Sequence, residues 1–343
     1  MNLDNPTPGA GPAWAQHGWI EQVRPWIEEA LAWDGRAISG PIEQPHVRPG
    51  STALRIPASG GDVYFKAVAP SFRHEIDITA ALYRWRPDTV PAVLRSDAGR
   101  GWLLMASGGE TLRQAFRKQT VAAHAPTIET WRPVTARYAR LQIDLATHVD
   151  ELLALGAPDR RLHLLPDLYH DLLAEKEWLL LDQPDGLTTA EYERLHEAAP
   201  HVTTLCQELA AYEIPMSLHH NDLHDANIFY RDGRPLFFDW GDSSVAHPFF
   251  SMRTVFVSIE YSFDLPEGDP FFASLAQDYL RPWAERAPGV DLSVPFTLAQ
   301  RLWALSTAIK YKTQMRWLPA MRQEAATAVP GSLQEFLEAN PGL

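Results

Sequence analysis

On the N-terminal side of Ser107-Gly108-Gly109 the chain is written in short β-branched and aromatic runs; beyond it, in helix-spaced leucine, alanine and tryptophan. From about Val47, runs such as Ala53-Leu-Arg-Ile and Val63-Tyr-Phe-Lys-Ala-Val alternate with Gly, Ser and Asp turns, which predicts antiparallel strands. Ala92 to Arg95 and Trp102 to Met105, parted by an Asp-Ala-Gly turn, predict another pair. Between these, Ser71 is placed to cap a helix carrying Glu75, Ile76, Ala80, Leu82 and Tyr83 and ending near Pro87. Upstream, Ile20, Val23, Ile27 and Leu31 give Trp14 to Trp33 a helical period, which Pro25 either kinks or starts afresh. Past the glycines, helices are predicted near 126–154, 166–181, 189–213, 269–286 and 293–324. Strands followed by helices, rather than alternating with them, make an α+β chain with a small antiparallel sheet and a larger helical part. The expected divisions are a Pro/Gly-rich leader and helix over 1–40, the sheet and its helix over 41–106, and the helical part over 107–343.

Composition narrows the partners. The formal net charge of −13 over 343 residues repels phosphate backbones and anionic lipid, so neither nucleic acid nor a membrane surface is expected. The strongest apolar stretches, such as Trp178 to Leu181, fall far short of the roughly 20 residues a spanning helix needs. A lone Cys206 and an N-terminus with no basic and apolar leader point to a cytoplasmic home. The charge is uneven: residues 1–106 are nearly neutral at −1, and residues 107–343 carry −12. Lysine is scarce, with only Lys66, Lys118, Lys176, Lys310 and Lys312 among 30 basic residues. A lysine inside an apolar strand, as Lys66 is, therefore calls for a specific explanation.

The chemistry concentrates in Leu218-His-His-Asn-Asp-Leu-His-Asp-Ala-Asn227 and Asp239-Trp-Gly-Asp242. Between them Ile228-Phe-Tyr and Pro235-Leu-Phe-Phe flank an Asp232-Gly233 turn, a strong hairpin signal. A two-residue turn there sets Asn227 and Asp239 side by side at the hairpin's open end. Two oxygen ligands would thus converge, enough for Mg²⁺, which keeps waters and substrate phosphates for its other positions. Asp222, five residues before Asn227, is within reach of a nucleophile beside a metal-bound phosphate.

His220-x-Asp222-x4-Asn227 resembles the catalytic loop of the kinase fold, and Asp239-Trp-Gly resembles its metal-binding element. The spelling HNDLHDAN is similar to the loop of the aminoglycoside phosphotransferase and choline kinase-like family rather than to that of protein kinases. No Arg precedes Asp222, position 224 is His where Lys is expected, and no Ala-Pro-Glu element follows. The resemblance, spanning about 45 to 260, implies a two-lobed fold that moves the γ-phosphate of ATP to a hydroxyl. In that frame Asp222 is the base, Asn227 and Asp239 hold Mg²⁺, and His220 braces the loop. Lys66 would contact the ATP phosphates and be oriented by Glu75, with Asp77, two residues on, as the alternative. Arg48-Pro-Gly-Ser51-Thr52 occupies the place of the phosphate-covering loop, with the Ser51 and Thr52 hydroxyls as donors. Met105 to Ser107 stand at the hinge, where backbone groups would pair with adenine.

Two other readings compete. The fold could persist as an inactive binding protein, although lysine, base and both metal ligands are present. Alternatively His219, His220, Asp222, His224 and Asp225 could form a zinc hydrolase cluster, which leaves Lys66 and the hairpin unexplained. The expected acceptor is a small molecule, and the acidic second part would suit an amine-bearing sugar, aminoglycoside or amino alcohol, with Asp225 and Asp242 as candidate contacts. Trp240, Phe249, Phe250, Tyr261, Tyr311 and Trp317 offer ring faces to a sugar, or else belong to the core.

Overall fold

Along Val63–Val68 buried Val63, Phe65 and Ala67 alternate with half-buried Tyr64 and Lys66, the two-residue period of a strand whose faces meet different neighbours. The computed structural model describes residues 12–118, 127–266 and 268–342, so nearly all of the leader lies outside the described residues. Two compact units emerge: Met1–Gly109 with Leu236–Gly241, and Glu110–Pro235 with Asp242–Leu343. The short return segment Leu236–Gly241, expected on sequence to stay with the helical part, joins the first unit.

In the first unit, α1 (Trp19–Trp33) runs unbroken through Pro25, so the proline does not begin a second helix. Five strands follow, β1 (Glu43–Val47), β2 (Ser51–Ile56), β3 (Val63–Val68), β4 (Val93–Asp97) and β5 (Trp102–Ala106), with α2 (His74–Trp85) between β3 and β4. They form one sheet in the order β1-β2-β3-β5-β4 with every pairing antiparallel. Phe65 meets Trp19, Trp26 and Trp102 at ring separations of 5.6–6.1 Å, and this aromatic cluster fastens α1 to the sheet. Because successive side chains leave a strand on opposite faces, Lys66 points away from that cluster, toward α2. Ser71 is not the cap of α2; it lies in a 3-10 turn over Pro70–Phe72, and the helix begins at His74 with no side-chain cap.

The second unit is mostly helical. Its helices are α3 (Leu112–Arg117), α4 (Trp131–Leu145), α5 (Val149–Ala154), α6 (Leu165–Ala174), α7 (Thr189–Glu197) and α8 (Ala199–Ala210), then α9 (Ser251–Phe263), α10 (Pro270–Arg286), α11 (Ser293–Trp317), α12 (Arg322–Ala325) and α13 (Ala328–Glu338). The helix predicted over 189–213 is two, because Pro200 in the first turn of α8 has no N–H to continue α7. The helix predicted over 166–181 stops at Ala174 and passes into a 3-10 turn. Helix α9 was not expected. Its Thr, Val, Phe and Ile read as strand, and burial of Met252, Val255 and Ile259 along one face overrides that preference. Two ribbons interrupt the helices: β6 (Ser217–His219) with β9 (Ser244–Ala246), and β7 (Ile228–Arg231) with β8 (Arg234–Phe237). The first was not foreseen, since three residues carry too short a period to read. In the second, Asp232 and Gly233 have φ of 51° and 75°, the left-handed pair of a type I′ turn. Among the described residues no helix is long and apolar enough to cross a membrane.

Candidate active site

The first unit gathers Lys66, Glu75 and Asp239. Lys66 Nζ lies 2.5 Å from Glu75 Oε1 and 2.5 Å from Asp239 Oδ1, so Glu75 rather than Asp77 meets the lysine. Burial opposes the ammonium's charge, but the two carboxylates overcome it and hold Lys66 well above its usual range. Asp239 sits at φ 67°, a left-handed conformation uncommon for a residue with a side chain. Gly241 explains the third position of Asp-Trp-Gly. A Cβ there would stand 2.9 Å from Glu75 Oε2, and the Gly241 carbonyl accepts a hydrogen bond from His74 Nε2 at 3.0 Å. Trp240 is fully buried and its indole N–H donates to the Phe237 carbonyl, so it belongs to the core and offers no face to a sugar.

The Ser51 and Thr52 hydroxyls, expected to cover phosphates, are placed differently from each other. Thr52 is buried; it donates to the His46 carbonyl at 2.6 Å and accepts from Gln44 at 2.9 Å. That corrects the expectation for Thr52, whose hydroxyl is occupied within the β1–β2 ribbon. Ser51 stands 3.5 Å from His46 Nε2 on the exposed side of the same turn. At the hinge, Met105 lies within β5, opposite Tyr64 of β3 and Val93 of β4. The Ser107 N–H donates to the Asp62 carbonyl at 3.0 Å, so that donor already closes the end of the sheet.

The second unit holds Asp222 and Asn227. Asn227 Nδ2 donates to the Asp222 carbonyl at 2.9 Å and to its Oδ2 at 3.0 Å. Ala226 N–H donates to His224 Nδ1, which leaves the proton on Nε2, 3.4 Å from Asp222 Oδ2. Burial pushes the Asp222 carboxyl up, but His224, then Lys310 and His220, hold it well below the usual carboxylate range. Asp222 is thus an ionised, oriented carboxylate whose side chain is still 39% exposed. With its nitrogen end fixed on Asp222, Asn227 turns its amide oxygen the other way. Amide oxygens and carboxylates are both hard donors of the kind Mg²⁺ takes, and the Asp239 carboxylate is 45% exposed.

A buried polar web supports this loop. The His220 N–H donates to the Tyr138 hydroxyl at 3.1 Å, and His219 Nδ1 and Tyr138 both reach the buried Ser251 hydroxyl. Gln142 and Tyr279 tie the same cluster to the Leu218 and Pro248 carbonyls. Asp225, expected near an acceptor, is 1% exposed; Arg113 holds one oxygen and Ser262 the other, so it braces the loop instead. Asp242 is clasped by Gln314 Nε2 at 2.6 Å and Lys310 Nζ at 3.4 Å. Lys310 and buried Arg160 were missed on sequence; the scarcity of lysine was the available signal. Among the described residues no three His, Cys, Asp or Glu side chains converge as a metal site, which removes the zinc cluster read from His219 to Asp225.

The profile of the phosphotransferase enzyme family (APH) matches residues 47–288, most of the chain. The chain belongs to that family. This phosphotransferase also matches solved structures: a choline/ethanolamine kinase family protein from Mesorhizobium loti at 17% identity, covering 94% of this chain and 95% of that one, TM-score 0.57. A choline kinase from Cryptosporidium parvum matches at 13% identity, 96% and 94% coverage, TM-score 0.55. Macrolide 2′-phosphotransferase MphH from Brachybacterium faecium matches at 17% identity, 90% and 98% coverage, TM-score 0.52. What this phosphotransferase shares with them at such identities is the kinase-like α+β fold. No curated protein matches its sequence.

Proposed function

We propose that this phosphotransferase moves the γ-phosphoryl group of ATP to a hydroxyl of a small molecule, with Asp222 accepting the hydroxyl proton. Lys66, steadied by Glu75, neutralises the nucleotide phosphates, and Ser51 lies in the turn assigned to cover them. Asn227 and Asp239 would hold Mg²⁺, which when bound neutralises phosphate charge. Asp222, kept ionised and pointed by Asn227 and His224, takes the proton as the hydroxyl oxygen approaches phosphorus. The observation that carries the reading is the Lys66 ammonium held at 2.5 Å by carboxylates from two distant parts of the chain, Glu75 and Asp239.

The charge of −12 over residues 107–343 supports an amine-bearing acceptor, such as an amino sugar, aminoglycoside or amino alcohol. The test is ATP consumption over a panel of amino sugars, aminoglycosides, amino alcohols, neutral sugars, macrolides and nucleosides, with Asp222→Asn beside the parent. Turnover with at least one acceptor is expected, falling by about 10³ in the variant while nucleotide binding persists. A variant as active as the parent on the best acceptor would remove Asp222 from its role.

A further inference from the structure

A lysine buried in a helix is costly unless its ammonium is met by acceptors, and α11 carries one at position 310 with 4% exposure. Its Nζ stands 3.3 Å from the Asn221 carbonyl oxygen and 3.4 Å from Asp242 Oδ2, with the Tyr311 ring 4.4 Å away. Gln314, one turn further along the same face, donates to the other oxygen of Asp242 at 2.6 Å. Asn221 is the residue just before Asp222, and it holds φ 63°. Asparagine tolerates left-handed backbone better than most residues with a side chain, and here its surroundings hold it in that conformation. Two contacts do so here: the Asn221 amide donates to Ser244 Oγ at 2.8 Å, and its carbonyl meets Lys310.

We propose that Lys310 is a positioning residue for phosphoryl transfer, gripping the Asn221–Asp222 peptide and Asp242 together so that the Asp222 carboxylate is aimed. The inference rests on the reading of Asp222 as the base. Lys310 acts through the carbonyl of the peptide unit that delivers Asp222. His224 meets the Asp222 carboxylate from within the loop, and Lys310 brings an ammonium to the same loop from a helix nearly ninety residues downstream. Buried Arg160 is the other cation of the cluster, and Asp242 faces both.

The test compares the parent with Lys310→Met, Lys310→Gln and Asp222→Asn in the full chain, with thermal melts as the check on folding. Loss of aim lowers kcat and leaves the nucleotide KM alone, so Lys310→Met is expected to lose about a hundredfold in kcat with nucleotide KM within about threefold. Lys310→Gln, which keeps a donor able to approach the Asn221 carbonyl, should recover part of that loss. A folded Lys310→Met with the parent's kcat, beside an inactive Asp222→Asn, overturns the role of Lys310 and leaves the base assignment standing. An active Asp222→Asn overturns both. Should Lys310→Met not fold, Asp242→Asn loosens the ammonium's anchor, and a drop of about tenfold in kcat at constant nucleotide KM is then expected. An unchanged kcat in that variant overturns the proposal.

Discussion

Gly241 illustrates how narrow the tolerances are around single residues. Any side chain there must occupy space 2.9 Å from Glu75 Oε2, and a shift of that carboxylate disturbs the group whose other oxygen holds Lys66. Gly241→Ala is therefore expected to raise the KM for nucleotide about tenfold with little change in fold stability, read by nucleotide titration and thermal melting. Equal nucleotide affinity in the variant would mean that the Glu75 carboxylate moves aside freely. At this scale the sequence was informative where a rare residue type met a strong local pattern. Lys66 stood out as a lysine among apolar strand residues, and the resemblance to the kinase fold offered Glu75 or Asp77 as its partner; the alternation along the strand, seen in the structure, turns it from Phe65 toward Glu75. The same scarcity applied to Lys310, but a lysine inside a helical run reads as an exposed-face residue, and no period distinguishes the buried side of a helix enclosed nearly all round. Asp225 and Thr52 fail for a related reason: a sequence displays an oxygen without displaying the Arg113 or Gln44 that already occupies it.

Among the elements, the hairpin is the clearest case of local chemistry dictating shape. Asp232 and Gly233 take the two left-handed positions that a type I′ turn demands, and only the second lacks a Cβ to resist it. Gly233→Val is expected to lower stability by about 1–2 kcal/mol, whereas Asp232→Asn stays within about 0.5 kcal/mol, by denaturant titration. Matching losses from the two would show that the turn does not hold this conformation. Four of the five sheet strands, the first two helices and the hairpin could be read because their turns are spelled out in Gly, Pro and Asp; β1 (Glu43–Val47), whose Glu-Gln-Pro-His-Val carries no strand-like alternation, could not. Helix α9 could not, since its β-branched residues favour strand until packing chooses otherwise. The ribbon of β6 and β9 pairs two three-residue segments far apart in the chain, and no local signal specifies such a partner.

For the molecule as a whole, acid sensitivity follows from histidines buried in neutral form. His247 is fully buried against Phe249 and Phe250, and burial pushes it down to about 3 from an ordinary 6.5. His219 is lowered in the same direction, by burial first and then by Arg160 and Lys310. The unfolded chain takes up a proton that the folded chain refuses, so each contributes stability above the unfolded value that is lost as pH falls below it. The melting temperature should fall from pH 6.5 toward 4, by about 1.4 kcal/mol of stability per pH unit for each such group. His247→Asn keeps an acceptor for the Phe249 N–H and removes the titration, so its melts should show a slope shallower by about one proton. An unaltered slope would mean that His247 is not held neutral. The acidity of residues 107–343 leads to a separate expectation: with an amine-bearing acceptor, KM should rise with ionic strength, and with a neutral acceptor it should not.

The grip of Lys310 and Gln314 on Asp242 reaches past the point where the family profile stops, at residue 288. A fragment cut there would retain the whole kinase vocabulary, from Lys66 to Asp239, yet would lose the lysine proposed to steady Asp222. On the role proposed for Lys310, recognition of this enzyme and competence of this enzyme reside in different lengths of chain, and they part in the 55 residues after 288.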